Sequence, residues 1–260
     1  MSNADLESDL ALAHELADAA DAVTTARFRA HDLAVDTKPD LTPVTEADRR
    51  AEELLTEHIA RARPGDAVVG EEFGASGAGD RWWIVDPIDG TKNYVRGVPV
   101  WATLIGLEVA GELVAGVVSA PALGRRWWAA RGSGAFADGE RIRVSAVHDL
   151  ADAHLCYSDT TGWDDFGRGD EFRALMRRCW RTRGFGDFWG HMLVAEGAAD
   201  AMGEPILALW DVAALVPIVE EAGGRLTDLT GAGWTDGAPA VTTNGLLHDA
   251  VLAALAGGRE

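Results

Sequence analysis

The run Trp83-Ile-Val-Asp86-Pro-Ile-Asp89-Gly-Thr91-Lys-Asn93 carries an apolar segment straight into two acids, a glycine and a hydroxyl. Hard cations such as Mg²⁺ take oxygen ligands, and Asp86 and Asp89, three apart across a tight turn, are able to converge on one of them while Gly90 admits a ligand to the backbone. Pro87 is expected to stop the strand, and a helix starting near Thr91 would offer its free amides to a phosphate. Taken alone, an Asp-x-x-Asp is more often an Asp-rich turn with Asp89 capping a helix. Here it has company. Glu71 follows a strand, Asp48 ends Val44-Thr-Glu-Ala-Asp48, and Asp211 opens an apolar helix in Leu209-Trp-Asp-Val-Ala-Ala-Leu215. Each of these acids, by itself, also reads as a cap or a solvated side chain.

The elements that must position these acids follow from periodicity. Helical spacing of Leu10, Leu12, Ala13, Leu16, Ala19, Ala20 and Val23 predicts a helix from Leu6 to about Arg29, and a second is expected from Thr45 to Arg63, ended by Pro64-Gly65. A short strand, Ala67 to Glu71, brings Glu71 to its end. Gly74 to Gly79 reads as a mobile loop, and Trp82 to Asp86 as a buried strand. Between Trp101 and Val144 an antiparallel segment is expected, with strands over Ala102–Ala110, Leu113–Ala120, Arg126–Ala130 and Arg141–Val144. The second half alternates: a strand over Leu155–Ser158, helices over Asp170–Trp180, Trp189–Gly197 and Asp211–Ala222, and a strand over Gly224–Asp228. The pattern predicts a layered α/β protein, with a soft boundary near Val144 to Asp152 dividing residues 1–147 from 148–260.

Composition excludes several function classes. With 23 Lys and Arg against 42 Asp and Glu the 260-residue chain has a formal charge of −19, which disfavours a nucleic-acid surface built on clustered cations. An apolar content of 47% is enough for a core without metal or disulfide staples. Cys156 and Cys179 form neither a CxxC pair nor a zinc spacing, which fits a reducing cytoplasm. The acidic N-terminus argues against an export signal, and Ala213 to Val219, the longest clearly apolar stretch, is far below the roughly 20 residues that span a bilayer, so a soluble protein with no membrane partner is expected.

The motifs Asp86-Pro-Ile-Asp-Gly-Thr91, Trp210-Asp-Val-Ala-Ala214 with Glu221-Ala-Gly-Gly224 behind it, and Gly70-Glu-Glu72 upstream resemble the inositol monophosphatase superfamily, lithium-sensitive Mg²⁺-dependent phosphatases, over nearly the whole chain. The resemblance implies an α-β-α-β-α sandwich and two or three Mg²⁺ ions per subunit. One ion would be held by Glu71, Asp86 and the Ile88 carbonyl, and a second by Asp86, Asp89 and Asp211. It also implies a water-orienting pair of Thr91 and Asp48, with Glu71 helping to position that water or a third ion, and phosphate contact from the Gly90 and Thr91 amides. A homodimer is implied too. Glu46 is an added acid near the third metal, and Lys38 reads either as a solvated loop residue or as a loop lysine near that metal.

The leaving-group pocket implied by the family falls on Arg183, Asp187 and Glu204. Asp187 stands where inositol phosphatases carry a small residue, and Gly186-Asp-Phe-Trp-Gly-His191 with Val194-Ala-Glu-Gly197 resembles the histidinol-phosphatase branch. Asp187 and Glu204 would then pair with a substrate ammonium while Phe188 or Trp189 flanks an imidazole. Alternatively Asp187 caps a helix beginning near Phe188, and Arg183 pairs structurally with an acid. His191 reads as a packed core histidine, and His14, His58 and His248 as surface helix residues. The pairs Trp82-Trp83 and Trp127-Trp128 are expected in core and dimer surface rather than on substrate. The expected activity is Mg²⁺-dependent hydrolysis of a small phosphorylated metabolite, first histidinol phosphate in histidine biosynthesis, then inositol monophosphate. The reading from another class is a non-catalytic binding module on the same fold.

Overall fold

The computed structural model describes residues 3–257, with side chains described from residue 5. Helix α1 (Asn3–Arg27) buries Leu12, Leu16 and Ala20, and α2 (Glu46–Ala62) buries Ala51, Leu55 and Ile59, each set recurring at helical spacing on one face. Between them β1 (Val35–Thr37) and β2 (Pro43–Thr45) form a small antiparallel hairpin. Thr45 caps α2: its hydroxyl accepts from the amides of Ala47 and Asp48, while the Asp48 carboxylate accepts the Thr45 amide at 2.8 Å.

The large sheet follows. Its strands are β3 (Ala67–Gly70), β4 (Gly74–Ser76), β5 (Arg81–Asp89), β6 (Ala102–Val109), β7 (Glu112–Ala120), β8 (Arg125–Ala130), β9 (Gly134–Ala137) and β10 (Glu140–Arg141), with α3 (Thr91–Val95) between β5 and β6. Their spatial order is β10-β9-β8-β7-β6-β5-β3-β4. Residues 74–76, expected in a loop, instead form the exposed edge strand β4, because the small residues let the chain fold back with Gly74 opposite Gly70. Pro87 does not stop β5. It falls in a bulge, where a missing N–H is tolerated, and the register slips between Asp86, opposite Leu104, and Asp89, opposite Ala102. In an unbroken strand residues three apart face opposite sides of the sheet; the extra residue turns both acids to one side.

The chain then enters a second sheet, passing from β10 through a short turn at Leu150–Asp152 to β11 (His154–Tyr157). There follow α4 (Thr161–Asp165), α5 (Gly169–Arg178), β12 (Arg181–Arg183), α6 (Asp187–Ala195), β13 (Ala201–Glu204), α7 (Leu209–Val212), α8 (Leu215–Glu221), β14 (Arg225–Thr227), β15 (Ala240–Thr243) and α9 (His248–Leu255). The order in this sheet is β12-β11-β13-β15-β14. The single helix expected from Asp211 to Ala222 is divided, since Pro217 has no N–H for the Ala213 carbonyl. The junction lies directly on the large sheet. A Cβ at Gly106 would come within 2.8 Å of the Ala213 carbonyl carbon, and one at Gly116 would overlap the Ala214 carbonyl oxygen.

Three apolar clusters define the layers. Leu16, Leu55, Trp83 and Ile105 join α1 and α2 to one face of the large sheet. Leu104, Trp127, Met192 and Ile218 join its other face to α6 and α8, and Leu155, Phe172, Val241 and Val251 pack the second sheet against α5 and α9. The result is the expected α/β sandwich in α-β-α-β-α order. Trp83 and Trp127 are buried in these cores, as expected. Two histidines expected on helix surfaces are not there: His248 is fully buried between the Thr227 and Thr243 hydroxyls, 2.9 and 3.0 Å away, and His14 is half-buried edge-on against Trp128. No helix among the described residues is long and apolar enough to cross a membrane.

Candidate active site

The β5 bulge and α7 bring together Asp86, Asp89 and Asp211, one carboxylate oxygen of each lying within 4.8 Å of the others. Each acid is steered by a backbone amide: Ile88 N–H donates to Asp86 Oδ1 at 2.9 Å, Phe188 N–H to Asp89 Oδ2 at 2.7 Å, and Ala208 N–H to Asp211 Oδ2 at 2.8 Å. The second oxygens receive no protein donor, and no Lys or Arg pairs with the three among the described residues. Burial raises all three carboxyls. Asp86 is raised further by the charges of Glu71, Asp89 and Asp211, and Asp89 by those of Asp187 and Asp211. Asp211 is pushed up to about 7 by burial, with Glu204 and Glu71 adding charge. One buried and two half-buried acids held together against their own repulsion, each with an oxygen left over, are a hard-donor set that fits a divalent cation.

Asp48 sits beside this set with its oxygens divided between two tasks. Oδ2 takes the Thr45 amide in the helix cap, and Oδ1 lies 3.3 Å from the Thr91 hydroxyl, which is also 2.9 Å from the Ile88 carbonyl. Asp48 therefore caps α2 and also faces Thr91. Burial raises its carboxyl, against the hydrogen bonds from Thr45.

Glu71 lies just past the end of β3, in a turn fixed from behind. Buried Glu52 on α2 accepts the amides of Glu72 and Phe73 at 2.8 and 2.9 Å, and a Cβ on Gly70 would overlap its carboxylate. Sequence reasoning missed Glu52, although it lies one helical turn beyond Asp48 on α2. Lys38, in the hairpin loop, is not solvated: Nζ is 2.7 Å from Glu71 Oε1 and 2.6 Å from Glu72 Oε1. Burial, with the charge of Glu71 adding, pushes Glu72 up to about 7 against the pull of Lys38. Glu46 is turned the other way, into an ion pair with Arg27.

On the opposite side Asp187 begins α6 in the left-handed region, φ +54°, an uncommon conformation for a residue with a side chain. It does not cap the helix. Its Oδ2 accepts from Asn93 Nδ2 at 3.0 Å, and the same amide donates to the Val100 carbonyl at 2.9 Å. Gly90, at φ +82°, passes beneath; a Cβ there would lie 3.0 Å from the Val100 oxygen and 3.5 Å from Asp187 Oδ2. Burial, then the charge of Glu204, raises Asp187 to about 6. Glu204, at the end of β13, is buried and 3.0 Å from His191 Nε2. A cleft of about 240 Å³ opens here, lined in part by Asn93, Val98, Val100, Phe185, Asp187 and Trp189. Phe188 is no part of it, being buried against Trp127 in the core, so Trp189 is the aromatic of the pair that faces the cleft. Arg183 is not brought to the carboxylates: it is exposed on edge strand β12 and donates to the Thr182 carbonyl at 2.7 Å. Asn93 was missed as a functional residue, although it ends the acid-rich run itself.

A model of the inositol monophosphatase family matches residues 5–258. A protein named histidinol-phosphatase from Streptomyces coelicolor is 56% identical over 257 residues, covering 95% of this chain and 97% of that one. The protein of that name from Mycobacterium tuberculosis is 56% identical over 256 residues, 96% of this chain and 98% of that one. Among solved structures, the extragenic suppressor protein suhB of Bartonella henselae superimposes with a TM-score of 0.88 at 31% identity, covering 97% of this chain and 100% of that one. An inositol monophosphatase from Zymomonas mobilis gives a TM-score of 0.88 at 31% identity over 98% of this chain and 100% of that one.

Proposed function

The chain belongs to the inositol monophosphatase family, and from that premise we propose that it is a histidinol-phosphatase, hydrolysing L-histidinol phosphate to L-histidinol and phosphate in histidine biosynthesis. The family is metal-dependent. Asp86, Asp89, Asp211 and Glu71, with the Ile88 carbonyl, are the residues we assign to hold Mg²⁺, two or three ions per subunit. Bound there, the cation supplies charge neutralisation for the transferring phosphoryl group and acidifies water.

The chain's own groups do the rest. The Thr91 hydroxyl, backed by Asp48 Oδ1, accepts from the attacking water and orients it, and the raised Asp48 stands behind it as a proton acceptor. Glu71, held by the Glu52 lock, helps to place that water. The Gly90 and Thr91 amides hold the phosphate, with Gly90 taking the left-handed conformation from which α3 starts.

The observation that carries the choice of ester is Asp187 in a cleft walled by Trp189, with Glu204 near enough for its charge to raise Asp187 and neither acid bonded by a Lys or Arg among the described residues. Two partly desolvated acids favour an ammonium, and an aromatic face favours an imidazole. Inositol monophosphate is the second reading, since a carboxylate accepts from neutral hydroxyls as well as from an ammonium. Phosphate release with Mg²⁺ from L-histidinol phosphate and from myo-inositol monophosphate, with EDTA as the blank, tests the assignment. Preference for the first ester supports it, preference for the second moves it, and no metal-dependent turnover of either favours a non-catalytic binding module. We further propose a cytoplasmic homodimer, which sedimentation tests, and a division of the chain near residue 147 into a half holding most metal ligands and a half supplying Asp211 and the pocket.

A further inference from the structure

We propose that His191 is a positioning residue of the leaving-group pocket, fixing the Glu204 carboxylate so that one oxygen stays turned toward the amine of the substrate. The proposal rests on the histidinol phosphate reading above. In sequence His191 is an ordinary buried helix position, and it is indeed fully buried. Its ring is nevertheless bonded at both nitrogens, with Nε2 3.0 Å from Glu204 Oε2 and Nδ1 2.7 Å from Thr242 Oγ1. A carboxylate only accepts, so Nε2 carries a proton, and in the neutral ring Nδ1 is left to accept from the Thr242 hydroxyl.

Both anchors are strand residues of the second sheet. Thr242 lies in the middle of β15, opposite Met202 on one side and Leu226 on the other, and Glu204 ends the neighbouring strand β13 opposite Ala240. The imidazole therefore ties helix α6 to two adjacent strands and restrains Glu204 at its charged end. Gly190, beside His191, seats α6 against β13: a Cβ there would overlap the Phe185 carbonyl oxygen and come within 2.5 Å of Met202 Sδ. Only one Glu204 oxygen is occupied among the described residues. Without the imidazole, a long acidic side chain beside Asp187 would relieve the repulsion by turning toward water, leaving the pocket with one acid instead of two. Because the role is electrostatic, its loss falls on a cationic leaving group more than on a neutral one. A purely structural histidine would make no such distinction.

The test is steady-state kinetics of the full chain with Mg²⁺ on L-histidinol phosphate and on β-glycerophosphate, whose leaving alcohol is neutral. His191→Leu fills the volume without a donor, His191→Gln returns a donor near the place of Nε2, and Thr242→Val removes only the outer anchor. His191→Leu is expected to lower the ratio of kcat/KM for histidinol phosphate to that for glycerophosphate by about tenfold or more, chiefly through KM, with most of it restored in His191→Gln and a smaller loss in Thr242→Val. An unchanged ratio, an equal loss on both esters, or no rescue by Gln would overturn the role. If circular dichroism shows His191→Leu to be unfolded, Thr242→Val decides alone, and an unchanged ratio there overturns it. A wild-type enzyme without preference for histidinol phosphate sinks the substrate reading and this role together. A wild-type preference that survives the variants sinks only the role of His191.

Discussion

Asn93 Nδ2 lies 3.0 Å from Asp187 Oδ2, across 94 positions of sequence, so the acid proposed to choose the leaving group is fastened to the short helix that starts at Thr91. The groups proposed for selection and for catalysis are thereby joined through one side chain. Asp187→Ala is expected to lower the preference for histidinol phosphate over inositol phosphate by about ten- to a hundredfold, the scale of one hydrogen-bonded charge pair. Asn93→Ala is expected to lower it less, because Asp187 keeps its charge. Competition assays with both esters measure the ratio directly, and an unchanged preference in Asp187→Ala would remove the acid from the pocket argument.

Asp86 receives the charges of Glu71, Asp89 and Asp211 in a buried setting. Asp86→Asn keeps the shape and removes one of the repelling charges. Activity is expected to fall by about a thousandfold or more, the scale on which electrostatic stabilisation of a transferring phosphoryl group acts. The metal-free protein, in contrast, should melt higher than wild type. Full activity in Asp86→Asn would show that the assigned site is wrong.

The same cluster fixes a pH dependence. Asp211, at about 7 in the folded protein against 3.8 ordinarily, takes up a proton that the unfolded chain does not, so its contribution to stability is present below about 4 and is lost as pH rises through about 7. Asp86 and Asp89 are raised in the same direction. In EDTA the melting temperature is therefore expected to fall from about pH 5.5 to about pH 8, and Mg²⁺ is expected to raise it much more at the upper end than at the lower. Calorimetry with and without Mg²⁺ checks this; equal stabilisation at both ends would detach the cation from these acids.

Thr91 donates only one proton, and both the Asp48 carboxylate at 3.3 Å and the Ile88 carbonyl at 2.9 Å compete for it. Thr91→Ala is expected to lower kcat by about a hundredfold, with little change in KM, and Thr91→Ser to return most of it. A loss confined to KM would mean that the hydroxyl binds substrate instead of orienting water.

The acids were legible because residue type and spacing reveal them: carboxylates at the ends of apolar runs have few reasons to be there. Strands β5 to β8 were legible for the same reason, as long apolar stretches broken by turns. Strand β13, Ala-Met-Gly-Glu, and β15, Ala-Val-Thr-Thr, gave no warning, since four-residue segments buried on both faces show neither alternation nor helical period. The division between α7 and α8 was announced by Pro217, but the apolar helical pattern continued across it. Which of Phe188 and Trp189 faces the cleft depends on the phase of α6, and that phase follows from the left-handed Asp187 that precedes them. The bond from His191 to Glu204 joins a helix to a strand, and no local pattern encodes it.

The absence of side chains at Gly106 and Gly116 sets how deeply the Ala213–Ala214 junction sinks onto the large sheet, and so how far Asp211 reaches toward Asp86 and Asp89. The separation of charges in the site is thus calibrated by two positions in the middle of strands that carry none of the three acids drawn together there. At such a gauge point a single methyl group would act as a spacer between the large sheet and the α7–α8 junction.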